Sequence, residues 1–172
     1  MPSTRPSSVT AGLLLALSLA LPGLAEARPW QGIEPGKSTG DEVVTRFGEP
    51  TTRKQRGPRS VIAYKGDQAL QGTKETQFHC RADGVVEEIT VFLSTALDAE
   101  TVEGTYGKAQ AKTFVEATFQ KVWLYPSKGV TVYFDKESSV DIISFTAPAA
   151  ARAAAAAPAG DEKAEDKGEK AP

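Results

Sequence analysis

Cysteine, methionine and histidine occur once each in the 172 residues, as Cys80, Met1 and His79. A single cysteine excludes an intramolecular disulfide and leaves a free buried thiol or an intermolecular link. One histidine and one cysteine cannot supply the ordinary ligand set of a zinc site. Nor do they make a nucleophilic dyad, because neighbours in a strand send their side chains to opposite faces. Charge of one sign is also missing. Twenty Lys and Arg against 22 Asp and Glu leave a net charge of −2, so no overall field favours nucleic acid. The phosphate loop is incomplete: Gly36-Lys37-Ser38 ends like one, but Gln31 stands where its first glycine belongs. Glu87 and Glu88 are split across two strand faces, so they form no acid–base pair. No catalytic residue, metal or cofactor is expected.

Both ends of the chain read as something other than a core. Val9 to Leu21 is almost wholly apolar, Pro22-Gly23 breaks it, and Ala25-Glu26-Ala27 fits a small-x-small cleavage pattern. The run is shorter than the ~20 residues of a spanning helix. Residues 1–27 are therefore expected to be a signal peptide, with a mature chain from Arg28 that is periplasmic or secreted. No cysteine follows the apolar run, so the chain is not expected to be a lipoprotein. Residues 148–172 hold Ala, Pro, Gly and charged residues, with no aromatic and no large aliphatic side chain. They are expected to form a disordered tail.

Between these ends the stretch Ile33–Pro50 organises the chain. Pro35-Gly36 turns, Ser38 or Thr39 caps, and Asp41 or Glu42 closes a capping box. Val43, Val44 and Phe47 fall at helical spacing, Gly48 stops the helix and Pro50 prevents its resumption. The device returns 59 residues later: Asp98 caps, Val102 matches Val43, Tyr106 matches Phe47, and Gly107 matches Gly48. Short helices are expected near 39–47 and 99–106. Alternating strands follow each, about seven in all. In Glu75–Arg81, Phe78 and Cys80 share one face and His79 takes the other. Asp83-Gly84 marks a hairpin. In Val85–Leu93 the set Val85, Glu87, Ile89, Val91 and Leu93 is expected to face the helix. Phe114–Trp123 carries no clear turn signal. The expected fold class is α+β: two tandem units (about 30–93 and 94–147), each a short helix on a small antiparallel sheet.

Ile33, Gly36, Ser38-Thr39, Val43, Phe47-Gly48 and Pro50, with Tyr64 in a following strand, resemble the opening motif of the SmpA/OmlA/BamE family. That family supplies the small subunit of the outer-membrane β-barrel assembly machine. The likeness covers Trp30–Leu93. The tandem arrangement is similar to the β-lactamase inhibitory protein and its relatives. The resemblance implies a periplasmic, non-enzymatic interaction module with an envelope protein as partner. The assembly subunit itself is a lipoprotein, and this chain lacks its lipidated cysteine.

Two sets of residues are candidates for contact. Trp123 and Tyr125 share a strand face, and such rings carry much of the energy of protein interfaces. Arg53, Lys54, Arg56 and Arg59 fall within seven residues around Gly57-Pro58. They are candidates for weak contact with an anionic membrane surface, or for charges that protect a sheet edge. The alternative class is a small hydrolase or a lipid-binding protein of the envelope.

Overall fold

The computed structural model describes residues 28–156; the expected signal peptide and the chain after 156 lie outside them. Helix α1, Gly40–Phe47, begins where the local chemistry demands. The Glu42 amide donates to Thr39 Oγ1 (3.2 Å), and the Thr39 amide donates to Glu42 Oε2 (3.3 Å). Two of the four orphan amides of a helix start are thereby satisfied. Helix α2, Ala99–Tyr106, has a simpler start, with the Thr101 amide donating to Asp98 Oδ1 (2.6 Å).

The described residues also hold eight strands: β1 Thr52–Arg56, β2 Arg59–Lys65, β3 Thr73–Cys80, β4 Val86–Leu97, β5 Ala111–Val115, β6 Gln120–Tyr125, β7 Val130–Phe134 and β8 Val140–Thr146. All pairs are antiparallel, and the order across the sheet is β1-β2-β3-β4-β8-β7-β6-β5. Each helix is thus followed by a four-stranded meander, and the two meanders join at β4 and β8. Ile89 pairs Phe145 and Val91 pairs Ile143 along this seam.

This corrects the expected fold class. The two helix-led halves do not build separate small sheets as α+β units. They share one continuous eight-stranded antiparallel sheet, and the architecture is predominantly β. The reason is physical. Standing alone, each half would end on an apolar strand, β4 or β8, with unpaired backbone groups along its edge. Pairing those edges satisfies both and, among the described residues, leaves β1 and β5 as the edges.

Three local features go beyond the sequence reading. Phe114–Trp123, which carries no clear turn signal, nevertheless turns between β5 and β6, with the Phe119 amide donating to Val115 O (2.7 Å) and Phe119 at φ 53°. A register shift beside Cys80 brings Val86 rather than Val85 into the core (0% exposed). Finally, α3, Ala149–Ala156, occupies part of the expected disordered tail.

The core lies on one face of the sheet, beneath α1 and α2. Val43 and Val102 are buried against it, as are Phe78, Ile89, Val132 and Phe134. Phe47 adds an aromatic cluster, with ring centroids 5.8 Å from Tyr64 and 5.7 Å from Phe78. The lead-in to α1 is tied to β4 by two backbone bonds: the Gly36 amide to Val86 O (2.7 Å), and the Val86 amide to Ser38 O (2.8 Å).

Candidate interaction face

The aromatic pair does not form an interface. Trp123 is 4% exposed and Tyr125 is 1% exposed. Both project to the helix-covered face, where Trp123 pairs Val132 and Tyr125 pairs Val130. The Tyr125 ring lies 5.6 Å from that of Tyr106, and its hydroxyl donates to Gly107 O. Trp123 packs 4.7 Å from Phe134, and its ring is roofed by the Lys112 ammonium at 4.1 Å. These rings are core, closed over by α2 and by lysine stems, so neither is free to meet a partner.

The basic stretch divides in the same way. β1 is an edge strand, and its alternation sends Arg53 toward α1, where it lies 3.9 Å from Asp41. Arg59 pairs with Glu87 at 3.2 Å. Lys54, Arg56 and Arg59, the last directly opposite Arg56 in register, take the opposite face. There the first two line a shallow recess of about 140 Å³ together with Lys65, Glu75, Gln77 and His79. The four charges read from the sequence therefore do not all converge: Arg53 stands on the helix side, apart from the other three. Two of them meet a lysine and a histidine that spacing alone did not connect. Pairing register is the missing signal: Lys65 lies opposite Glu75, and Val61 opposite His79.

That recess is one corner of a larger surface, the face of the sheet away from α1 and α2. Among the described residues no helix covers it in the way those helices cover the core. Across its middle run Phe92, Ile142, Tyr133 and Val122, successive partners on β4, β8, β7 and β6. Phe92, Ile142 and Tyr133 are half-buried, as is Leu124 beside them. Toward β3 the face turns polar. Glu88 lies opposite His79 and accepts hydrogen bonds from the Ser144 and Thr90 hydroxyls. Burial pushes the Tyr133 hydroxyl above its ordinary range, and the Glu88 carboxylate adds to that shift.

Ser144 is 3% exposed, so its hydroxyl is closed to an incoming substrate despite its bond to Glu88. Cys80 is buried on the helix side, away from His79. Burial pushes its thiol up, outweighing a hydrogen bond with Ser60, and the reactive thiolate is thereby disfavoured. Among the described residues no three His, Cys, Asp or Glu side chains group as metal ligands. Among the same residues no helix is long and apolar enough to cross a membrane.

No family model matches the chain, and no curated protein matches it. Among solved structures it is similar to YjgB, a DUF4309 family protein from Bacillus subtilis. The identity is 18%, over 71% of this chain and 88% of that one, with a TM-score of 0.53. It also aligns with an extracellular protein containing an SCP domain from Bacillus anthracis, at 11% identity and a TM-score of 0.47. That alignment covers 84% of this chain and half of the other. The YjgB likeness is one of fold.

Proposed function

We propose that this chain is a non-enzymatic protein-interaction module of the cell envelope, and that it takes its partner on the uncovered face of the sheet. The observation that carries this reading is the half-buried apolar row Phe92, Ile142 and Tyr133, with Glu75 beside Phe92 in register and the cations Lys54, Arg56 and Lys65 beyond it. An apolar strip with a polar rim is the usual anatomy of an interface. The partner it fits is a protein with an apolar contact and an acidic margin. The N-terminal processing signal and the likeness of Ile33–Pro50 to the SmpA/OmlA/BamE motif support a periplasmic or secreted setting.

The test is recovery of a partner from envelope extracts by the native chain and by two variants. Ile142→Glu places a charge in the apolar strip. Lys54→Glu combined with Arg56→Glu reverses the border. Loss of the same partner with both variants, each still folded by circular dichroism, supports the reading. A partner recovered equally by all three refutes it.

A second reading is contact with anionic lipid, favoured by Lys54, Arg56 and Lys65, none of which forms an ion pair among the described residues. Three such charges at a headgroup layer contribute ~1 kcal/mol each, decaying over ~8 Å at physiological salt. Co-sedimentation with anionic but not neutral vesicles, lost at high salt and in the double charge reversal, selects this reading.

A further inference from the structure

The two edges of the sheet are protected unequally. β1 has three cations in five residues, Thr52-Arg53-Lys54-Gln55-Arg56, which discourages any second strand. β5, at the other end of the order, pairs only with β6 and reads Ala111-Lys112-Thr113-Phe114-Val115, with one charge. Among the described residues, its backbone groups on the side away from β6 have no strand partner. Phe114 is 63% exposed on this edge, and Phe119, in the adjoining turn, is 83% exposed.

We infer that β5 pairs with β5 of a second copy of this chain, antiparallel about Thr113, to give a dimer with one continuous sheet. The register argues for a second copy rather than an unrelated strand, because the five residues complement themselves. Centred on Thr113, Lys112 lies opposite Phe114 of the second copy, Ala111 opposite its Val115, and Thr113 opposite its own counterpart. Cross-strand threonine pairs and cation–aromatic contacts are favourable, and no like charges lie directly opposite one another. The same operation on β1 sets Lys54 opposite Lys54.

Existing contacts extend the match. Within one copy Lys112 lies over Trp123 (4.1 Å), and Lys121 lies opposite Phe114 in register and over Phe134 (4.3 Å). Across the seam the row becomes Trp123, Lys112, Phe114, Lys121, with the last two from the second copy. Cations and rings alternate, and the exposed Phe114 ring gains the cover it lacks. Five residues from each side bury less than the ~1,200 Å² of a standard interface, so the association is concentration-dependent rather than permanent.

Sedimentation of the full chain over a range of concentrations tests this directly. The native chain is expected to shift from monomer to dimer as concentration rises. Thr113→Lys, which places like charges at the centre of the seam, is expected to remain monomeric with unchanged thermal stability. In a second experiment Thr113→Cys is oxidised mildly. At the two-fold the Cα atoms of a strand pair lie ~4.5–5.5 Å apart, within disulfide range. Rapid covalent dimer formation is expected there and not for Glu116→Cys, whose copies would lie ~20 Å apart along the seam. A monomer at every concentration, a dimer that survives Thr113→Lys, or equal cross-linking at 113 and 116 overturns the inference. None of these outcomes touches the proposed partner face, which lies on the broad side of the sheet.

Discussion

Tyr64 and Tyr125 do the same work at equivalent places. Each lies in the strand that follows its helix by one hairpin, and each hydroxyl donates to the carbonyl of the glycine that stops that helix: Tyr64 to Gly48 O at 2.8 Å, Tyr125 to Gly107 O at 3.2 Å. Removing one hydroxyl breaks a part-buried hydrogen bond. Tyr64→Phe is expected to cost ~1 kcal/mol in urea unfolding, and Tyr125→Phe somewhat less, given its longer bond. The glycines are required for a different reason. Gly48 has φ 82° and ψ −166°, and Gly107 φ 81° and ψ −170°, a region that only glycine adopts without strain. Nothing lies within 4 Å of a Cβ placed at either position. Gly48→Ala and Gly107→Ala should therefore each lose ~1–3 kcal/mol through backbone strain alone. Asparagine, which tolerates the ordinary left-handed region, should not rescue them. Cys80 supplies a third measurement. With its thiol buried and pushed up, it should resist a thiol reagent at neutral pH in the native chain and react on unfolding. Equal rates in both states would refute the burial.

The two helices carry the same plan with unequal fastening. α1 has a reciprocal capping box and an aromatic cluster beneath Phe47, while α2 has Asp98 alone at its start. Amides at the end of α2 should therefore exchange faster with solvent than those at the end of α1. The Asp98 carboxyl is held below its usual range, chiefly by the Thr101 amide. A depressed native pKa stabilises above the unfolded value, near ~3.9, and that contribution disappears as pH falls through the native value. Asp98→Asn keeps an acceptor without a titrating group, so its acid unfolding curve should be flatter than that of the native chain below about pH 4. These elements were legible in the sequence because their determinants are local: Thr39 and Glu42 are three residues apart, and so are Asp98 and Thr101. The pairing of β4 with β8 was not legible, because Val91 and Ile143 signal only that each strand has an apolar face. The burial of Trp123 escaped for a related reason. Alternation placed it with Tyr125 but left open which face the helix covers, and the lysines roofing it come from β5 and from two residues upstream. The recess of Lys54, Arg56, Lys65 and His79 needed register across three strands, which spacing within any one of them does not contain.

At the scale of the molecule, the two faces of one sheet differ in how they are covered. The helix side holds the core, and the other side stays half-buried. Substitutions on the two faces should separate cleanly. Ile143→Ala, on the core side of the seam, is expected to cost ~2–5 kcal/mol. Ile142→Glu, its neighbour on the uncovered face, should stay within about 1 kcal/mol of native stability, in the range of ordinary surface changes. Thermal and urea unfolding of both variants decide this, and an equal loss would mean that the uncovered face is packed after all. The seam also gives the chain an order of assembly. Within each half every strand pairs with its sequence neighbour, so those contacts close short loops. β4 and β8 join segments roughly 50 residues apart, and a loop of that length is entropically the costliest to close. Folding should then pass through a transition state in which the meanders are formed and the seam is not. In a chevron analysis Ile143→Val should leave the folding rate nearly unchanged and accelerate unfolding, whereas Ile62→Val, inside the first meander, should slow folding. A molecule built in this way opens along its midline first, as two partly ordered halves held together by the remainder of the chain.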